Sequence, residues 1–204
     1  MRYKIITDRD FLHKKTTPVL TIEEGQKIAD KLISVLDDVR NGAGLSANQI
    51  GILKSVSVIK ARQDRPAIVL MNPTIVKKSD ERIAYMEGCL SIPGKQIPTA
   101  RSMTVEVVTL NHANTLSFSP DVVPPTKDSV RMDYGLLECV CVQHEIDHLH
   151  GKLITDSDVR LKIETAPTIK YGRNDKVVVE KNGETQYIKY KKALNLIGEG
   201  WKII

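Results

Sequence analysis

The chain has 204 residues, 41% of them apolar and 27% charged, with a formal charge of +5. This is an ordinary composition for a folded globular protein, long enough for one well-filled core or one domain with an appendage. No apolar run approaches the ~18 residues of a membrane span, and the opening MRYKIITDRDF lacks the apolar centre of a secretory signal, so the chain is expected to stay in the cytoplasm, away from membranes.

The first predicted element is a helix in TIEEGQKIADKLISVLDDVRN, residues 21–41. Thr21 with Glu24 three positions on is a capping box. Ile28, Leu32, Val35, Leu36 and Val39 follow at helical spacing, and Asn41 with Gly42 is the expected stop. Short runs rich in β-branched residues come next, at 55–60, 67–71, 75–77 and 103–110, and turn residues between them predict antiparallel strands. Residues 111–133 are polar and carry Pro120, Pro124 and Pro125. They read as an extended connection with room for one strand.

A second helix is predicted from about Tyr134 to about His150, with Gly151 as the residue after its cap. Leu137, Val140, Cys141, His144 and His148 share one face, so both histidines point inward with the apolar stripe. In the tail, Asn182-Gly183 between two β-prone runs marks a type I′ hairpin. Trp201, Ile203 and Ile204 are expected to dock back on the body. Residues 151–204 hold 11 Lys or Arg against 7 Asp or Glu. A solvated surface explains that excess most simply. Its functional reading is contact with an anionic partner such as ribosomal RNA, though no long basic run or aromatic interleaving accompanies it, and DNA is not expected as a partner.

Chemistry gathers in VQHEIDHLHG, residues 142–151. His144 and His148 lie ~40° apart around a helix and ~6 Å apart along it, so two imidazoles can reach one cation. Glu145 sits toward the rim of that face, where it reaches water without being a ligand. This is the HExxH arrangement of a metal with a neighbouring general base; the plainer reading is a pair of buried, hydrogen-bonded histidines. The metzincin continuation fails because Ile154 stands at its third ligand position. Glu164 is available as a downstream ligand of the thermolysin kind, and Cys89 in MEGCLSIPG is an upstream one. Three cysteines, Cys89, Cys139 and Cys141, are too few for a disulfide framework. Cys139 and Cys141 point to different faces of the helix and read as buried small residues. His13 and His112 have no partner by spacing, and His150 is expected to be exposed.

Three separated stretches together resemble the peptide deformylases. GAGLSANQIG (residues 42–51) is similar to their first motif, GxGLAAxQ; EGCLS (87–91) is identical to the second; QHEIDHLHG (143–151) fits the third, HExDHLxG. The likeness covers about 1–156. It implies an α+β fold, with antiparallel sheets packed around a central metal-binding helix, and a division into a catalytic domain, 1–156, and an extension, 157–204.

The resemblance further implies one divalent metal on Cys89, His144 and His148, typically iron(II), with zinc, nickel or cobalt able to substitute. Glu145 would act as general base and then acid. The Gln49 amide and the Leu90 N–H would hold the oxyanion. Gly42, Ile92, Leu137 and Cys141 would line the methionine pocket, and Gly42 and Gly44 would let the backbone pass close to the substrate. Glu87 and Arg101 would form a buried pair supporting the cysteine segment, and Asp147 is either their neighbour or a solvent-facing acid. The implied substrate is a formyl-methionyl N-terminus. Two other readings stand beside it: a peptidase with Glu164 as third ligand, and a non-catalytic module that binds nascent peptides or ribosomes. Two departures from the family pattern are plain: Ser46 stands where the family usually has alanine, and the connection from Arg101 to His144 is long. The tail reads as a hairpin instead of the basic C-terminal helix of many bacterial members.

Overall fold

The computed structural model describes residues 3–39, 42–62, 64–121, 133–160, 174, 176–197 and 201–203. The chain divides into two compact units, Met1–Lys162 and Ile163–Ile204.

The first unit opens with a short helix, α1 (Arg9–Leu12), capped by Asp8, which accepts from the Phe11 N–H. Helix α2 (Ile22–Asp37) starts where the capping residues place it: Thr21 accepts from the Glu24 N–H at 3.1 Å. The Glu24 carboxylate reaches one residue further back than expected, to the Leu20 N–H at 2.9 Å. The helix stops short of the predicted Asn41, and Val39 lies beyond it. Leu36 is its last buried residue, and Asp37 and Asp38 bring two negative charges to the negative end of the helix dipole.

Next come β1 (Gly44–Ser46), a 3₁₀ turn (Ala47–Ile50), β2 (Val56–Ile59) and β3 (Ile68–Met71), forming an antiparallel sheet in the order β1-β2-β3. The apolar face of α2 packs on it through Ile28, Leu32 and Leu36 against Leu45, Val56, Val58 and Met71. Strands β4 (Thr74–Lys78), β7 (Val105–Val108) and β8 (Leu116–Phe118) make a second antiparallel sheet in the order β4-β7-β8. β2, β3, β4 and β7 fall in or across the four predicted runs. Between β4 and β7 lies a hairpin the strand pattern did not predict, β5 (Arg82–Cys89) with β6 (Ile92–Ser102). Its sequence carries Gly88, Pro93, Gly94 and Pro98, residues that weaken a strand and are tolerated at edges and bulges; the hairpin is a two-stranded sheet whose register breaks between Gly88 and Cys89.

Helix α3 (Tyr134–Leu149) is capped by Asp133, which accepts from the Leu136 N–H at 2.8 Å. At its other end the Gly151 N–H reaches the His148 carbonyl and the Lys152 N–H the Asp147 carbonyl, at 3.0 and 2.8 Å. This is a Schellman motif, which needs a left-handed residue after the cap; Gly151 supplies it at φ +73°. The predicted inward stripe is too narrow: Glu138, Cys139, Val142, Gln143, Glu145 and Ile146 are buried as well. The helix runs through the centre of the unit, with Cys139, Val142 and Ile146 packed among Ile59, Leu70, Val105, Val107 and Phe118. Within the predicted 111–133 connection, β8 is the one strand described; Pro124 and Pro125 lie outside the described residues.

The second unit contains β9 (Lys176–Lys181), β10 (Glu184–Lys189), helix α4 (Tyr190–Ile197) and β11 (Lys202–Ile203), with the sheet order β10-β9-β11. Asn182 and Gly183 have φ of 52° and 86°, as a two-residue type I′ turn requires. Helix α4 corrects the reading of the tail as a hairpin alone. It presents Tyr190, Ala193 and Leu196, at helical spacing, to Val177 and Val179. Trp201 joins that same cluster, and Ile203 pairs with Val179. Both are therefore held by the unit's own sheet. Ile204 lies outside the described residues.

Candidate metal centre

Cys89 closes β5 immediately before the two-residue turn Leu90-Ser91. Past that turn Cys89 opposes Ile92, whereas Gly88 opposes Gln96, so residues 93–95 bulge out and Gly94 takes φ +73°. The turn carries the Cys89 Sγ to 3.2 Å from Nε2 of His148. One ligand atom each from Cys89, His144 and His148 lies within 4.8 Å of the others, and all three residues are buried. Two ligands of one tetrahedral ion stand ~3.5 Å apart when the bonds are ~2.0–2.3 Å long. The three donors thus fit a single ion, with one soft sulfur and two imidazole nitrogens.

His144 is held from behind. Its Nδ1 is 2.6 Å from Oε2 of Glu87, and its ring meets that of His148 edge-on with centroids 4.9 Å apart. Glu87 receives a forked pair from Arg101, at 2.5 Å from Nε and 3.1 Å from Nη2, and a hydrogen bond from the Thr99 hydroxyl. Arg101 in turn reaches Asp147 Oδ2 at 2.5 Å. Asp147 is therefore a neighbour of the pair, not a free surface acid. Burial pushes the Glu87 carboxyl up, but His144 and Arg101 outweigh it and hold it down at about 2. Burial opposes charge on His144 too, yet bonding to Cys89 and Glu87 raises its pKa well above the ordinary value. The surroundings thus favour positive charge at this spot. Burial, and then the neighbouring His144, push His148 well down.

Outer partners of this kind orient a ligand and typically change metal affinity by ~10–100-fold. Glu87→Gln is expected to lower affinity for a divalent ion by about that factor, read by competition with a chelator of known affinity. Unchanged affinity would mean that His144 keeps its orientation without the carboxylate.

Glu145 is fully buried, and desolvation holds its carboxyl above the ordinary range. Its Oε2 accepts from the Ser46 hydroxyl at 2.6 Å. Gly44 lies against its other oxygen: a Cβ on Gly44 would come within 2.7 Å of Oε1 and 2.5 Å of the Cys141 sulfur. Gln49 is fixed by the 3₁₀ turn it belongs to. Its Oε1 accepts from the Ser46 N–H at 2.9 Å, which turns Nε2 toward Ser91 Oγ at 3.2 Å and Cys89 Sγ at 3.7 Å. The amide is thereby oriented as a donor on the cysteine side.

A cavity of about 710 Å³ opens over these groups. It is lined by Gln49, Cys89, Leu90, His144 and Glu145 and also by Gly42, Gly44, Ile92, Leu137 and Cys141. His148 lies behind the wall. Glu87 lines the cavity as well, while Arg101 stands one residue further back. The sequence reading gave no role to Tyr85 or Met86, which join the lining, nor to Thr99 or the contact made by Ser46. A signal for Ser46 exists: it follows Gly44 by two in an extended run, so both face the same side.

The other histidines and Cys139 stand outside the cavity lining, which Cys141 joins. His13 and His112, read as partnerless, each bond a carbonyl: His13 Nδ1 lies 2.9 Å from the Gly151 oxygen, and His112 Nε2 3.0 Å from the Val69 oxygen. His150 is exposed. Burial pushes the Cys139 thiol up to about 11 and Cys141 well above its ordinary value, so both stay protonated. Glu164 lies outside the described residues.

A family model described as polypeptide deformylase matches residues 3–163, ending where the second unit begins. Peptide deformylase 2 of Clostridium acetobutylicum is 36% identical over 152 residues, covering 74% of this chain and 91% of the relative. The peptide deformylase of Rhizobium meliloti is 34% identical, covering 78% and 85%. Among solved structures, a peptide deformylase from Synechococcus elongatus in complex with actinonin superposes with a TM-score of 0.62 at 30% identity, covering 78% of this chain and 80% of that one. With this extent of match, the chain belongs to the polypeptide deformylase family.

Proposed function

We propose that this protein removes the N-formyl group from formyl-methionyl N-termini of newly made polypeptides, by hydrolysis of a linear amide to formate and a free amine. The observation that carries this reading is the convergence of Cys89, His144 and His148 beside a cavity that also holds Glu145 and Gln49. Catalysis is assigned to residues 1–156, with 157–204 as an appended extension. Its place of work is the cytoplasm, or another compartment with bacterial-type ribosomes. The basic excess of residues 151–204 suits a passing contact with ribosomal RNA.

Cys89, His144 and His148 would hold one divalent ion. We assign iron(II) as the native metal, with zinc, nickel or cobalt as substitutes, since this mixed donor set suits all four. Such an ion supplies Lewis acidity toward water and the formyl oxygen. Glu145 accepts a proton from water through the oxygen that Ser46 leaves open, and returns it to the departing nitrogen; water and formamide become formate and amine. The Gln49 amide and the Leu90 N–H donate to the formyl oxygen as it gains charge, the kind of donor whose removal costs ~10²–10³ in turnover. Gln49 must be a neutral donor, because a carboxylate there would repel that charge. Gly42 and Gly44 line the cavity beside the substrate backbone, their missing side chains making room for Leu36 and for Glu145 and Cys141, and Ile92, Leu137 and Cys141 form the apolar wall for the methionine side chain.

The test is formate release from formyl-Met-Ala-Ser by protein purified without oxygen, which protects a ferrous centre. Steady turnover on the formylated peptide and none on its acetylated counterpart is expected. No formate from iron- or cobalt-loaded protein would overturn the reading.

A further inference from the structure

We infer that Ser46 is a positioning residue for Glu145: its hydroxyl fixes one carboxylate oxygen and leaves the other facing the cavity. The inference rests on the proposed deformylase reading and adds to it a residue that the metal ligands and oxyanion donors do not require.

Three observations carry it. The Ser46 Oγ lies 2.6 Å from Oε2 of Glu145 and 2.9 Å from the Glu145 backbone carbonyl. Ser46 is completely buried and Glu145 is 3% exposed, so water has little access to do the same job. Oε1 makes no hydrogen bond among the described residues, and Glu145 lines the cavity. The last torsion of a glutamate is soft, with broad preferences, so the helix alone leaves the carboxylate plane loosely defined. A buried hydrogen bond to one oxygen sets that plane, while Gly44, with no side chain, leaves room beside the other.

Strand geometry explains why this residue reaches. Gly44 and Ser46 are two apart in β1, on one face of the strand, and that face meets α3 at Glu145. The backbone N–H of Ser46 is separately engaged with Gln49, so one residue orders the carboxylate with its side chain and the amide with its main chain. Replacing the side chain leaves the second contact intact, which makes Ser46→Ala a clean probe.

Ser46→Ala is expected to lower kcat for formyl-Met-Ala-Ser by on the order of 10-fold, the loss of one hydrogen bond to a charged group, with KM and bound metal unchanged. A purely structural serine would lower metal content or folding stability and leave the kcat of loaded enzyme intact. The second arm uses Glu145→Asp, which draws the carboxylate back by about one carbon–carbon bond, ~1.5 Å, away from the hydroxyl. In that background Ser46→Ala should cost nothing further. Unchanged kcat in the single variant, or fully additive losses in the pair, would overturn the inference. Should the wild type release no formate, the deformylase reading fails, and crystal structures of wild type and Ser46→Ala decide the positioning claim separately. Identical, well-ordered Glu145 carboxylates in both would refute it.

Discussion

Cys89→Ala is expected to abolish metal retention and take formate release to background, while leaving the fold standing. Cys89 is the one proposed ligand outside α3, so its loss leaves two imidazoles on a single helix and no sulfur. A partner one shell out, such as Glu87, is worth ~10–100-fold in affinity; a direct ligand should therefore cost more than ~10²-fold. The fold should survive because the β5–β6 hairpin is held independently, by its pairing and by the Glu87–Arg101–Asp147 network. Metal analysis after gel filtration reads the first effect and thermal unfolding the second. This variant also separates the two hydrolase readings. A peptidase with Glu164 as third ligand would keep its ion and its activity without the sulfur. Full metal content in Cys89→Ala would remove Cys89 from the ligand set.

The parts of this site that sequence makes legible are those whose chemistry is tied to local spacing. His144, Glu145 and His148 are legible because helical geometry converts a four-residue separation into a shared face. Thr21, Gly151 and Asn182-Gly183 mark their elements for the same reason: caps and tight turns are decided within a few residues. The β5–β6 hairpin hides because its residues answer to the site before they answer to the strand. Gly88 and Pro93 flank the Cys89 turn, Gly94 takes the positive φ of the bulge, and Glu87, Thr99 and Arg101 are buried to orient His144. The glycines, Pro93 and the buried charges of Glu87 and Arg101 lower the strand signal that alternation would otherwise give. The contact between Ser46 and Glu145 spans 99 residues of sequence; periodicity suggests a face for each and says nothing of their meeting. Cys89 is intermediate. Spacing alone left it beside Glu164 as an alternative third ligand, and its likeness to a known motif favoured it. The tail helix is hard to read from sequence for a different reason. Its apolar positions, Tyr190, Ala193 and Leu196, make only two turns, too few to stand out next to a strong hairpin signal.

Glu145→Gln should leave the molecule intact and nearly stop it. The substitution keeps size and shape, and the glutamine oxygen can still accept from Ser46, so packing in the fully buried position is preserved. Burial already disfavours charge on this side chain; a neutral amide there should not destabilise the fold, and the midpoint of thermal unfolding should stay level or rise slightly. Metal content should be unchanged, because Glu145 is not among the three converging donors. What disappears is proton transfer. An amide cannot take a proton from water at neutral pH, and a positioned general base contributes ~10²–10⁴ in rate. The expected result is a fall in kcat of that size with KM for formyl-Met-Ala-Ser little altered. The pattern differs from Cys89→Ala, where metal and activity fall together, and from Ser46→Ala, where kcat falls far less because the base is present but loosely held. Wild-type turnover in Glu145→Gln would assign proton transfer elsewhere. Among the described residues of the cavity Cys89 is a proposed metal ligand, Cys141 is held as a thiol by burial and Glu87 is engaged by Arg101 and His144, so none of these stands free to take over.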